Sequence, residues 1–232
     1  MSLKAVFFDF NGTIINDEGI HEQLICDLLL GENLRPSSQD YREVCLGRSD
    51  RACLQDMLER RGRVVSEDYL AKLIEKKSQG YPQQLEALEE LPIYPGLADF
   101  LQQLQDAGLV MGIVTGAVRS EVDFVLDKIG LGPYFSVLVT GEEVTQSKPY
   151  PYGYFLAVER VNLRFPQLGV AASDCLAIED SPAGIEAAKN AGMQVVGMAH
   201  SYPFHMIQRQ AHWTVDYFRE IELERIQAVF ST

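Results

Sequence analysis

Asp9 ends a continuous apolar run, Ala5-Val6-Phe7-Phe8, and is followed by Phe10-Asn11-Gly12-Thr13-Ile14. A run without alternation suits a strand covered on both faces, as in a parallel sheet. An ionised carboxylate is too costly to leave inside such a sheet, so Asp9 belongs at its carboxyl rim, where open α/β sheets bind their ligands. A carboxylate placed there can serve as a nucleophile or a metal ligand. Asn-Gly between apolar runs is also a strong hairpin signal. The two readings are compatible, because a turn can follow the acid at once and cover it. Leu176-Ala177-Ile178 repeats the pattern, ending in Glu179-Asp180 before Ser181-Pro182 opens a helix. Alone, these acids would suit a helix N-terminus, which favours negative charge. With Asp9 they suggest a hard-cation site, since Mg²⁺ takes few carboxylates together with phosphate oxygens. Thr115 ends the run Val110–Val114 and precedes Gly116, and Lys148 lies in Ser147-Lys148-Pro149-Tyr150-Pro151. Singly, Thr115 would cap a helix and Lys148 would be solvated. Together the four places supply a nucleophile, a hydroxyl, a cation and an acid pair, which are the parts needed for phosphoryl transfer through an aspartyl-phosphate.

These residues need a scaffold that brings distant parts of the chain to one rim. Apolar runs at 5–8, 110–114, 175–178 and 195–198 predict buried strands. Helical spacing of apolar residues predicts helices over 99–107, 120–129 and 181–191, the last with a Ser cap, a Pro at its first position and Gly192 after its end. Alternating strands and helices predict an α/β fold, a Rossmann-like, mostly parallel sheet with helices on both faces. Between Asn16 and Leu91 strand-like runs disappear. Stripes at Leu24/Ile25/Leu28/Leu29, Cys53/Leu54/Met57/Leu58 and Tyr69/Leu70/Leu73/Ile74 predict an inserted all-helical domain, closed by Pro92 and Tyr94-Pro95-Gly96. The expected division is a core of residues 1–15 and 92–232 and a cap of residues 16–91.

Composition narrows the partners. The chain has 232 residues with 20 basic and 33 acidic side chains, a formal net charge of -13. That balance disfavours nucleic acid, whose binding rests on Lys and Arg at phosphates, and anionic membrane surfaces. No stretch has the ~20 apolar residues of a membrane span. Lys4 is followed only by Ala5–Phe8 before Asp9, too short for a secretory signal. The four cysteines form no CxxC pair and are expected to be reduced in a cytoplasmic protein. No GxGxxG follows a predicted strand, which disfavours a dinucleotide-binding oxidoreductase. A monomer or weak dimer is expected.

The motifs together resemble the haloacid dehalogenase-like hydrolase superfamily, in the branch that holds phosphoglycolate phosphatases, other sugar phosphatases and β-phosphoglucomutase. The motifs that carry the resemblance are Asp9-Phe10-Asn11-Gly12-Thr13-Ile14, Gly112-Ile113-Val114-Thr115-Gly116, Ser147-Lys148-Pro149, and Glu179-Asp180-Ser181 with Gly184-Ile185-Glu186-Ala187-Ala188. The resemblance implies that Asp9 attacks phosphorus, that Thr115, Gly116 and Lys148 hold its oxygens, and that Mg²⁺ is bound by Asp9, the backbone carbonyl of Asn11 and Asp180, with Glu179 in support. It implies a small phosphorylated metabolite as substrate, with His21, Arg48 and Lys77 of the cap as candidate contacts. In relatives an arginine often follows the serine of the cap loop; here Gly47-Arg48-Ser49 is followed by Asp50. Phosphatases and mutases of this superfamily also carry an Asp two residues after the nucleophile, which protonates the leaving group and activates water. This chain has Asn11 there, and an amide cannot relay a proton at neutral pH. The expectation is therefore a Mg²⁺-dependent phosphatase, weakened by Asn11. The alternatives are a non-catalytic or regulatory phosphate-binding relative and a sugar phosphomutase.

Overall fold

The computed structural model describes residues 2–231. Its centre is a six-stranded parallel sheet: β1 (Ala5–Phe8), β2 (Val110–Val114), β3 (Val137–Val139), β4 (Cys175–Glu179), β5 (Gln194–Met198) and β6 (Trp213–Val215), in the order β3-β2-β1-β4-β5-β6. The chain builds outward from β1 on one side, then crosses back and builds outward on the other. The resulting switch point lies between β1 and β4, where α/β sheets open a crevice for ligands. The register is explicit. Phe8 is level with Ile113 on β2 and with Ile178 on β4. The next residues, Asp9 and Glu179, therefore emerge from the same rim.

β1 is buried on both faces. Val6 and Phe8 pack with Ile113, Phe100, Val122 and Phe218 in one layer, whereas Ala5 and Phe7 pack with Val139, Tyr154, Ala157 and Ile185 in the other. The first layer is covered by α5 (Leu97–Asp106), α6 (Arg119–Ile129) and α10 (Leu223–Phe230), and the second by α7 (Tyr152–Arg164), α8 (Pro182–Asn190) and the short α9 (Phe204–Ile207). Four helices lie between β1 and α5: α1 (Glu18–Gly31), α2 (Ser38–Val44), α3 (Asp50–Glu59) and α4 (Glu67–Glu86). Their own core is formed by Ile25, Leu28, Tyr41, Leu54, Met57 and Leu70. Ser37, Ser49 and Ser66 each accept a backbone N–H three residues on, which satisfies a donor that a helix start leaves unpaired.

One reading left open is decided here, and one expectation is corrected. Asn11-Gly12 does not join a hairpin. Gly12 has φ +73° and its N–H donates to the Ile15 carbonyl at 2.8 Å, so the turn folds over the end of β1 while β1 itself pairs only with parallel neighbours. The expectation of four reduced cysteines is corrected by a disulfide between Cys45 and Cys53. The chain turns back through Gly47 (φ +74°) and starts α3 at Asp50, which brings the first turn of α3 beside the end of α2, with the two Cα atoms 4.5 Å apart. Cys26 and Cys175 are free. No helix among the described residues is long and apolar enough to cross a membrane.

Candidate active site

Asp9 leaves β1 with its N–H bound to the Ile178 carbonyl at 2.9 Å, which locks it to the end of β4. Its Oδ1 accepts the Phe10 N–H at 2.8 Å and lies 2.9 Å from Lys148 Nζ. Lys148 also lies 2.7 Å from Glu179 Oε1. The Tyr154 hydroxyl donates to that same Glu179 oxygen. Asp9, Glu179 and Asp180 are all buried and offer ligand oxygens within 4.8 Å of one another. Burial and the nearby Asp9 charge push the Glu179 carboxyl up to about 8, against the pull of Lys148 and Tyr154. Burial, with Asp9 and Glu18 adding to it, raises Asp180 well above the usual carboxylate range. Burial disfavours the Lys148 ammonium, but Asp9 and Glu179 outweigh it and hold the charge firmly.

The donor set fits a hard divalent cation. Three carboxylates face one lysine, and Glu179 Oε2 and Asp180 Oδ2 are buried without a hydrogen-bond partner. Buried, unpaired carboxylate oxygens are costly unless a cation meets them. The backbone leaves room for these oxygens: a Cβ at position 12 would lie 2.0 Å from Asp180 Oδ2.

Thr115 is buried at the end of β2, and its Oγ1 accepts the Ala117 N–H at 3.0 Å. Gly116 follows in the same turn. The cap loop Gly47-Arg48-Ser49 lies directly on it: a Cβ at Gly116 would stand 2.4 Å from the Arg48 carbonyl oxygen. Ser49 N–H donates to Ser147 Oγ at 2.6 Å, which ties the cap loop to the loop that carries Lys148. Asp9, Asn11, His21, Arg48 and Gly116 line one cavity between core and cap.

A family model for haloacid dehalogenase-like hydrolase matches residues 3–192. The chain belongs to the haloacid dehalogenase-like hydrolase family. Protein CbbY of Rhodobacter capsulatus is 31% identical over 201 residues, covering 84% of this chain and 85% of the relative. Validoxylamine A 7'-phosphate phosphatase of Streptomyces hygroscopicus subsp. limoneus is 28% identical over 205 residues, covering 86% and 87%. The crystal structure of β-phosphoglucomutase from Clostridium difficile superimposes with a TM-score of 0.84 at 22% identity, covering 99% of this chain and 97% of that one. This hydrolase is a phosphatase of the family, a phosphoric monoester hydrolase.

In this haloacid dehalogenase-like hydrolase, the cap closes on the core through buried polar contacts. Asn11 Nδ2 donates to Asp17 Oδ2 at 2.8 Å. The Tyr81 hydroxyl and His21 Nε2, the latter at 3.2 Å, meet the same oxygen. The His21 ring also stacks on Tyr81. Burial and Lys77 push the His21 imidazole down, but the charge and hydrogen bond of Asp17, with Glu121, outweigh them and raise it. Arg48 reaches the cavity wall while its Nη1 is held by the Val44 carbonyl at 2.8 Å and Asp56 at 2.6 Å. Lys77 is placed elsewhere. Its Nζ is buried 2.8 Å from Asp50 and 3.2 Å from Glu121, so it bridges α3 and α4 of the cap to α6 of the core and does not line the cavity around Asp9.

The sequence reading missed Asp17, Glu18, Tyr41, Tyr81, Glu121 and Tyr154. For Asp17 a signal existed, an acid immediately before the first cap helix; the others become visible only when helices far apart in sequence meet. His200 lies with Nδ1 2.8 Å from the Gly12 carbonyl and stacks on Tyr94.

Proposed function

We propose that this chain is a Mg²⁺-dependent phosphatase of a small phosphorylated metabolite, a sugar or organic-acid phosphate, working through an aspartyl-phosphate on Asp9. The observation that carries this reading is the contact of Lys148 Nζ with both Asp9 and Glu179, beside Asp180 in one buried cluster. Asp9, the Asn11 carbonyl, Asp180 and Glu179 would hold the cation. When bound, it supplies the positive charge that lets a phosphate dianion approach a carboxylate in a chain of net charge -13. Asp9 attacks phosphorus and the phosphorus–oxygen bond to the leaving group breaks. Thr115 and the backbone at Gly116 orient the phosphoryl oxygens, and Lys148 stabilises their charge as it spreads. The cap keeps bulk water out and presents His21 and Arg48 to the leaving group. Because Asn11 cannot transfer a proton, substrates with poor leaving groups react slowly unless another acid serves them.

The R. capsulatus relative is similar across most of its length, and the Streptomyces relative is named as the phosphatase of a phosphorylated small molecule. The second supports the substrate class. The test is phosphate release from a panel of sugar and organic-acid phosphates and from p-nitrophenyl phosphate, with Mg²⁺ and with chelator. Asp9→Asn should lower turnover by about four orders of magnitude or more, as loss of a nucleophile does elsewhere. Its circular dichroism should match the native chain. Undiminished phosphate release from Asp9→Asn would refute the mechanism.

A further inference from the structure

Resting on that reading, the acid–base step still needs a group. The cavity that holds Asp9 and Asn11 is also lined by Glu18 and His21 of the cap. His21 Nε2 is engaged with Asp17 and Asn11. Glu18 is placed differently. It stands in the first turn of α1, and its Oε2 accepts the Tyr41 hydroxyl at 3.1 Å. Glu18 and Tyr41 line both the inner cavity and an outer cleft of about 510 Å³ beside Tyr94 and His200, so the carboxyl stands where the site meets the exterior. A group there can reach a leaving oxygen on its inner side and exchange protons on its outer side.

We propose that Glu18 is the acid–base residue of this phosphatase, in the role that Asn11 cannot fill. In the first step an Asp9 oxygen bonds to phosphorus, the bond from phosphorus to the leaving oxygen breaks, and the Glu18 carboxyl gives its proton to that oxygen. In the second step the Glu18 carboxylate takes a proton from water as the water oxygen attacks phosphorus. The Asp9–phosphorus bond breaks and inorganic phosphate leaves. The sum is phosphate ester plus water giving alcohol plus phosphate, with Glu18 protonated again. Tyr41 is a positioning residue that fixes one carboxyl oxygen and leaves the other to carry the proton.

The surroundings support a carboxyl that changes state near neutrality. Around Glu18 stand Asp17, His21 and Glu22 at the start of α1, Tyr41 and Arg42 on α2, Asp9 and Asp180 at the sheet rim, Arg48 on the cap loop and Asp50 at the start of α3. Burial, with Asp17 and Asp9 adding to it, raises the Glu18 carboxyl to about 7, while His21 and the Tyr41 hydrogen bond oppose the rise. An acid matched to the working pH in this way is worth about 10²–10⁴-fold in rate.

The experiment compares the native chain with Glu18→Gln on p-nitrophenyl phosphate, whose leaving group needs no proton, and on glycerol 3-phosphate, glucose 6-phosphate, ribose 5-phosphate and phosphoglycolate. Native protein should turn over at least one of these alkyl phosphates. Glu18→Gln should lose about 10²-fold or more in kcat on that substrate. With p-nitrophenyl phosphate it should still release a rapid burst of one p-nitrophenol per chain, followed by slow steady-state turnover, because only the second step then needs the base. Equal losses in burst and alkyl turnover, an unchanged kcat, or a rise in KM alone would each overturn the proposal. If the native chain releases p-nitrophenol in an Asp9-dependent way but turns over none of the alkyl phosphates, the nucleophile stands and Glu18 is not its acid. If nothing is turned over, the phosphatase reading falls and this proposal with it. Should Glu18→Gln fail to fold, Tyr41→Phe carries the test: the alkaline limb of the pH–rate profile should move upward while the burst is kept, and an unmoved limb overturns the assignment.

Discussion

Asn11 Nδ2 donates to Asp17 Oδ2 across 2.8 Å, and the Tyr81 hydroxyl from the far end of the cap donates to the same oxygen. The amide is therefore complementary to the carboxylate beside it. Asn11→Asp would set two carboxylates against each other, a pair that cannot both ionise cheaply.

Asn11→Asp alone should accordingly bring no gain in turnover and should cost about 1–3 kcal/mol of stability, the range for losing a hydrogen bond to a charged group. Adding Asp17→Asn should recover most of that loss. Urea unfolding of the native chain and the three variants reads the cycle. A more stable, faster Asn11→Asp single variant would contradict this account.

Lys77 is closed in between Asp50 and Glu121. Burial alone would push its ammonium down, but the two carboxylates outweigh burial and raise it. Lys77→Met leaves two acids facing each other without a counter-charge and should destabilise by about 3–5 kcal/mol. Lys77→Met with Glu121→Gln should be milder than Lys77→Met alone. A Lys77→Met chain as stable as the native one in denaturant titration would remove the bridge from consideration.

Glu18 titrates at about 7 in the folded chain, against 4.5 for an ordinary glutamate. Between those values the folded state holds a proton that the unfolded state has released. Stability from this group is thus present at low pH and is lost as pH rises through the window. Glu18→Gln removes that dependence. Its melting temperature should track the native value near pH 5 and exceed it progressively toward pH 8. Parallel melting curves across this range would show that the carboxyl is not raised.

Cys26 is partly exposed, Cys175 is buried, and burial raises the Cys175 thiol to about 12. Burial, Glu22 and Asp27 also raise the Cys26 thiol, so with Cys45 and Cys53 paired, native unreduced protein should give one accessible thiol that reacts slowly with a thiol reagent, and denatured unreduced protein two. Three or four thiols in the denatured, unreduced chain would mean that the disulfide is not formed.

The strands that carry the chemistry were legible because each is a short run of unbroken apolar residues ending in a polar one. β1, β2 and β4 read this way and delivered Asp9, Thr115 and Glu179 to one rim. β3 and β6 are three residues long and lie at the sheet edges. Too few side chains are committed in either strand for a pattern to form. The helical nature of the insertion followed from its stripes, but the electrostatics did not. Asp17 and Tyr81 lie 64 positions apart, and nothing local marks them as partners. Lys77 was expected among the substrate contacts on the strength of the resemblance, whereas two carboxylates from other helices occupy it. Cys45 and Cys53 lacked the spacing of a familiar motif because their pairing depends on a reversal at Gly47.

At Gly116 the two lobes meet backbone to backbone, without space for even a methyl group beneath the Arg48 carbonyl. Any side chain at position 116 would lift the Arg48 carbonyl and pull Ser49 away from Ser147. The contact at Gly116 and the bond from Ser49 to Ser147 thus hold the cap loop at one fixed height above the rim.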